Sequence, residues 1–363
     1  MRSPYPTKTT SKAAHLLRLA LPAFAACTFF TSSLPGAEIV AELPPLGVLS
    51  EQLPLGLSGR SFPLIGEELI NGRVASNDTT SVTFTASSSS IGLALAGKPD
   101  ARYYLEVLSG PLEGERFDID ADATTTRNGA SIVLNLTTSS ASTANELTSD
   151  ALIDARCAVR PHVTLKGLQE QFSPPLAGSN NPNLGDAVQV LGPTGFTTYY
   201  LRADGVEWRR SGSAENMASL VIPPDVSVLI RLKSGSKQWS QFGSVRTNAF
   251  RKNLTSDVQS FASGFPIERS PQDLGAVVDP ALPAAIRWSG SNNPATADSF
   301  LLFAPDAGTF RTYYLRSNGT SWFQLGGTGE DFSGEAFLPA SGMTLIQRAK
   351  SDTGYVIPPP LSL

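Results

Sequence analysis

The strongest constraint on this chain is a motif written twice. Tyr199-Tyr200-Leu201-Arg202 is followed by Asp204-Gly205 and Trp208, and Tyr313-Tyr314-Leu315-Arg316 by Asn318-Gly319 and Trp322. The second Tyr and the Trp stand eight positions apart in both. Asp-Gly and Asn-Gly between β-forming residues signal a tight hairpin, and a two-residue type I′ turn is its expected closure. That closure pairs Leu201 with Trp208, Tyr200 with Arg209, Leu315 with Trp322 and Tyr314 with Phe323. Side chains alternate along a strand, so Tyr199, Leu201, Trp208 and Arg210 share one face. Tyr200, Arg202, Glu207 and Arg209 share the other. The Leu-bearing face is the expected core face, which makes each Trp a core residue. Tyr200, Arg209, Tyr314 and Phe323 lie opposite and are the candidate ligand contacts.

Each hairpin belongs to a longer repeated stretch. Gly178-Ser179-Asn180-Asn181-Pro182 recurs as Gly290-Ser291-Asn292-Asn293-Pro294. An apolar strand follows each, at Ala187 to Leu191 and at Ser299 to Phe303. Later, Leu220 to Pro223 with Val226 to Leu232 matches Ala336 to Pro339 with Met343 to Arg348. The copies therefore span about 178–250 and 290–357 of a duplicated β domain at 159–363. Between them, Ser270-Pro271-Gln272-Asp273 has the pattern of a short helix start.

Residues 38–158 read as a separate N-terminal β domain. Strands are expected at Pro63 to Ile70, Val82 to Thr85, Tyr103 to Leu108, Arg116 to Ile119 and Ile132 to Leu136, with Asn71-Gly72 and Asn77-Asp78 as turns. Glu146 to Arg156 is expected to form a short helix capped by Asn145. Charged residues make up only 17% of the chain, and it holds 31 Gly and 27 Pro, a balance that favours short strands and many turns over long helices. The expected fold is all-β: an N-terminal β domain, then two homologous β-meander units forming a barrel or a sandwich, with only short helices.

Residues 1–37 read as an export signal. They carry Arg2, Lys8, Lys12 and Arg18 and no acid, then an apolar run from Leu19 to Phe30 that is too short to span a bilayer. Cleavage near Ala37 is one ending. A lipobox-like Phe24-Ala25-Ala26-Cys27, with lipid on Cys27, is the other. No later run is apolar enough to cross a membrane. Without residues 1–37 the formal charge moves from −4 to 24 − 32 = −8. An acidic chain without a basic tract is a poor partner for nucleic acid. Loss of Cys27 would leave Cys157 with no intramolecular disulfide partner.

The Tyr-Tyr-Leu-Arg, Gly and Trp pattern, twice over, resembles a family of exported proteins of verrucomicrobial-type bacteria with no assigned activity. The likeness extends to Tyr103-Tyr104-Leu105 with Ser109-Gly110 and Glu113-Gly114, to Pro161-His162 with Thr164-Leu165, and to Gly264-Phe265-Pro266 with Ser270-Pro271 and Leu274-Gly275. It covers most of the chain after the export signal and implies architecture and export, and no activity.

Catalytic patterns are sparse. Beyond the export signal there is one histidine, His162, and no Gly-x-Ser-x-Gly elbow, so a Ser-His triad lacks its usual signature. His162 reads as a surface or turn residue. Asp118-Ile119-Asp120-Ala121-Asp122 looks like the start of a calcium loop, but Ala123 and Gly129 occupy positions where an EF-hand needs Gly and Glu. Glu113 with Glu115, and Glu330 with Asp331, are acids in turn-rich segments. No zinc cluster, phosphate loop or dinucleotide fingerprint occurs, and no cofactor or metal is expected. The leading expectation is an exported, non-catalytic protein that binds or assembles at the cell envelope or outside the cell, with a glycan or another envelope protein as candidate partner. The alternative is a carbohydrate-active or peptide-cleaving hydrolase using loop carboxylates.

Overall fold

The computed structural model describes residues 45–85, 102–119, 126–128, 131–137 and 147–360. Residues 1–37, read above as an export signal and containing Cys27, and Asp120 to Asp122 lie outside the described residues. The chain is all-β. It starts with β1 (Leu46–Leu53) and β2 (Gly56–Ser61), then runs through β3 (Ile70–Asn77), β4 (Ser81–Thr85), β5 (Tyr103–Val107), β6 (Arg116–Ile119), β7 (Thr126–Asn128), β8 (Ser131–Thr137) and β9 (Arg156–Pro161). Next come β10 (Val163–Thr164), the single α-helix among the described residues, α1 (Leu165–Gln169), and β11 (Phe172–Ser173). The first Tyr-Tyr-Leu-Arg motif lies in β12 (Ala187–Gly192), β13 (Gly195–Leu201), β14 (Trp208–Arg210), β15 (Val221–Ile222), β16 (Ser227–Leu232) and β17 (Lys237–Ser244). The second lies in β18 (Phe250–Leu254), β19 (Gln259–Phe261), β20 (Ser299–Ala304), β21 (Thr309–Leu315), β22 (Trp322–Gln324), β23 (Thr344–Gln347) and β24 (Asp352–Ile357).

Strands β3 to β9 form an antiparallel sheet in the order β4-β3-β9-β5-β6-β8-β7, and β8 also pairs with β4. That extra pairing closes six strands into a ring. Its interior holds Val74, Phe84, Leu105, Phe117, Leu134 and Val159. Two expectations fail here. Ile65 makes only an isolated bridge to Ser244, and the strand begins at Ile70, with Asn71-Gly72 inside it opposite Ala158 and Cys157. The expected helix at Glu146 to Arg156 is a chain of turns over its described part. Asp150 and Asp154 take left-handed backbone angles (φ 66 and 62), which no α-helix accommodates. Asn77 holds this segment instead, donating to the Thr148 carbonyl and accepting from Leu152 N.

The motif-bearing strands form two five-stranded sheets, β14-β13-β12-β16-β2 and β22-β21-β20-β23-β19, which match strand for strand. Leu201 faces Trp208 and Leu315 faces Trp322, the register read from the sequence. β1 and β2, which the sequence places with residues 38–158, are bonded to strands of the later region: β1 to β17 and β2 to β16. The second unit has the same plan, with β18 bonded to β24 and β19 to β23. The first unit is thus assembled from residues 46–61 and 163–244, and the closed ring is inserted between its second strand and the rest.

The sheets are covered on both faces. Val188, Leu201, Trp208 and Ile230 fill the core of the first unit, and Phe300, Leu315, Trp322 and Ile346 that of the second. Between the two sheets lies a third cluster of Leu229, Met343 and Leu345 with Leu191, Leu301 and Phe303. This explains why the Ser227–Leu232 and Ser299–Ala304 strands read as apolar runs rather than alternating ones. The seam is reciprocal. Ser61 N donates to Ser341 O, and Ala262 N donates to Asp225 O. Ser227 and Ser260 exchange hydrogen bonds at one side of the seam, while Gly59 on the other leaves room for the Met343 backbone and Cβ.

Candidate functional site

The motif residues organise the fold. In each hairpin Gly205 N donates to Arg202 O and Gly319 N to Arg316 O, while Arg202 and Arg316 close onto Glu207 and Ser321. Only the glycines have positive φ, +71 and +76, so the closure is not the expected type I′ turn. The reason is side-chain chemistry. Asp204 Oδ1 accepts from Val206 N and Glu207 N, and Asn318 Oδ1 accepts from Thr320 N and Ser321 N. An Asx carboxyl or amide that mimics backbone makes a longer loop with a single left-handed residue. Gly178 and Gly290 press against the carbonyls of Arg202 and Arg316, where a Cβ would collide. Asp186 and Asp298, both buried, tie the start of β12 and β20 to the end of β16 and β23: they accept from Lys233 N at 2.6 Å and from Ala349 N at 2.5 Å.

Tyr200 and Tyr314 lie on the face opposite the Trp residues, as the alternation requires, but that face turns towards the other sheet. Each is only 8% exposed. Arg209 is half-buried and engaged by Glu207 at 2.7 Å. Phe323 is half-buried beneath the Arg316 guanidinium, 4.7 Å from its ring centre, and Arg316 also donates to the Tyr314 hydroxyl. The alternation gives the correct face, but one chain read in isolation does not reveal that a second sheet covers it.

Charged residues are used heavily where the ring meets the motif units. Glu106, fully buried on β5, pairs with Arg160 at 2.6 Å and with Arg246. Arg116 on β6 and Lys252 on β18 both reach Asp225, at 3.0 and 2.6 Å. Burial opposes the charge on Asp225, but Lys252 and Arg116 outweigh it and bring its pKa down to about 2. His162 bonds Asp118 at 2.8 Å and packs, tilted, against the Tyr104 ring, so it is a packed residue rather than a surface one. Burial pushes the Cys157 thiol up to about 12, which leaves it un-ionised and unreactive at neutral pH. Glu113 accepts from Ala249 N, and Asp331 accepts from Trp322 N and Ser333 N. These acids hold backbone. Among the described residues no three His, Cys, Asp or Glu side chains group to hold a metal ion.

An open cleft of about 640 Å³ lies at the seam of the two motif units, beside charge that no carboxylate among the described residues pairs. Its walls are Pro54, Leu55 and Leu57 from the β1–β2 corner and Pro305 from the β20–β21 turn, and Arg231 and Lys233 at the end of β16 supply its cations. Asp306, also at its edge, is engaged by Arg311 at 2.9 Å. Sequence reasoning missed this cleft, because its lining comes from three segments, at 54–57, 231–233 and 305–308, that are distant along the chain and share no motif. Comparison with protein-family models, curated proteins and solved structures found no match.

Proposed function

We propose that this chain is an exported, non-catalytic binding protein whose ligand site is the cleft between the two motif units, and that those units are an internal repeat. The cleft carries the reading: it has the volume of small-ligand sites, lies where two packed units meet, and combines apolar walls with a few polar groups. Three of the four candidate hydrolase acids, Glu113, Glu115 and Asp331, accept hydrogen bonds from backbone N–H groups, which favours binding over the hydrolytic alternative. Export is supported by the basic start and the apolar run from Leu19 to Phe30, and by the resemblance to exported verrucomicrobial-type proteins.

A thermal-shift panel of small acids, sugars and lipids tests the site. Some members should raise Tm of the wild type and fail to do so in Leu55→Trp, which crowds the mouth. Shifts that survive this substitution would place binding elsewhere. Mass analysis of the exported chain tests the other half, with a new N-terminus near Ala37 or a lipid on Cys27 expected. An intact Met1 in exported material would contradict it.

A further inference from the structure

We infer that the cleft takes an aliphatic anion, with a carboxylate held by Arg231 and Lys233 and its hydrocarbon chain laid along Pro54, Leu55, Leu57 and Pro305. This rests on the cleft being the binding site and names what it binds.

The second unit does without either cation. Arg231 stands opposite Ala187 in β12, and the residue in the same place of the second sheet, opposite Ser299, is Gln347. Lys233 gives its backbone N–H to the buried Asp186; in the second unit Ala349 does this for Asp298 with no charge at all. The framework therefore works with Gln and Ala at these places, and the first unit carries Arg and Lys instead.

Neither cation is neutralised by a carboxylate among the described residues. Arg231 Nη2 donates to Pro182 O at 2.6 Å, which fixes the guanidinium, while its Nε is buried without a partner. A fixed guanidinium beside an exposed lysine, at the edge of an apolar recess in a chain of net charge −4, is suited to capture one anionic head. The walls select the remainder of the ligand. They contain proline and leucine but no Trp, Tyr or Phe, so the cleft lacks the flat rings on which neutral sugars stack. The glycan expected from Tyr200 and Tyr314 therefore has no platform here, whereas an acyl chain does.

Calorimetric titration of the exported chain with decanoate, decanol and decyltrimethylammonium tests this. Decanoate should bind about tenfold or more tightly than decanol, and the ammonium should bind more weakly still. The double variant Arg231→Gln/Lys233→Ala, which installs the residues of the second unit, should reduce decanoate to the level of decanol while the chain still unfolds cooperatively. Leu55→Trp should weaken all three. Equal affinity for decanoate and decanol, or a double variant that binds decanoate as the wild type does, overturns the anion assignment. If Leu55→Trp still weakens binding in that case, the cleft itself stands. Binding indifferent to Leu55→Trp overturns both. No heat from any probe overturns the acyl-anion class, and the thermal-shift panel then decides the cleft separately.

Discussion

The two motif units share a skeleton and differ in what fills it. Their strand order, register, hairpin closures, buried aspartates and collision-limited glycines correspond position by position. Their cores do not. Where the first unit has Leu176 and Val188, the second has Trp288 and Phe300, and these form an aromatic cluster with Trp322 and Tyr355 at centroid distances of 4.9–5.8 Å. The partner of the buried aspartate is Lys237 in one and Arg348 in the other. Residues that touch backbone are constrained by hydrogen-bond geometry, whereas core volume can be redistributed among neighbours as long as the space is filled.

The largest expected effect compares the two Trp residues. Trp208→Ala and Trp322→Ala should each cost about 3–5 kcal/mol in denaturant unfolding. Trp322 should cost more, since it also loses ring contacts with Trp288 and Phe300, each worth about 0.5–1.5 kcal/mol. A larger loss at Trp208 would mean that the aromatic cluster adds nothing beyond volume.

Next comes Asp225, which joins the first unit to Arg116 of the ring and Lys252 of the second unit. Its counterpart at the seam, Ser341, carries no charge. Asp225→Asn removes the carboxylate charge that Arg116 and Lys252 share and should cost about 3 kcal/mol at pH 7. The folded pKa, about 2, lies below the ordinary value of 3.8, so this contribution is complete above that value and is lost as pH falls through about 2. The gap between wild type and variant should therefore narrow by about 2 kcal/mol over that descent. A gap independent of pH would assign the effect to packing alone.

The smallest contrast is in the turns. Gly205→Ala strains a left-handed residue with open space around it and should cost about 1–2 kcal/mol. Gly319→Ala has the same strain, but its Cβ would also meet Val278 at 2.7 Å, so it should cost more. Equal losses would show that Val278 moves aside freely.

Much of the fold can be read from the residues, and the misses have identifiable physical causes. The Leu201–Trp208 and Leu315–Trp322 registers follow from turn position and side-chain alternation. The turn type was missed because Asp204 and Asn318 act as acceptors rather than adopting positive φ. Ser270-Pro271-Gln272-Asp273 does make reciprocal caps, Ser270 Oγ to Asp273 N and Asp273 Oδ2 to Ser270 N, yet the chain continues as turns rather than an α-helix. The pairing of β2 with β16 joins residues more than 160 positions apart and has no local signature. The covering of Tyr200 and the walls of the cleft depend on that same long-range assembly.

The central claim is that the first unit begins at β1 and β2 and is interrupted by the closed ring. Native-state hydrogen exchange tests it most directly. The hydrogen-bonded amides of Gly56–Ser61 should exchange at the rates and denaturant dependence of Ser227–Leu232, their partner strand, and as a group distinct from the ring strands Ile70–Asn77 and Arg156–Pro161. Amides of Gly56–Ser61 that exchange with the ring strands, or as fast as unpaired chain, would contradict the account.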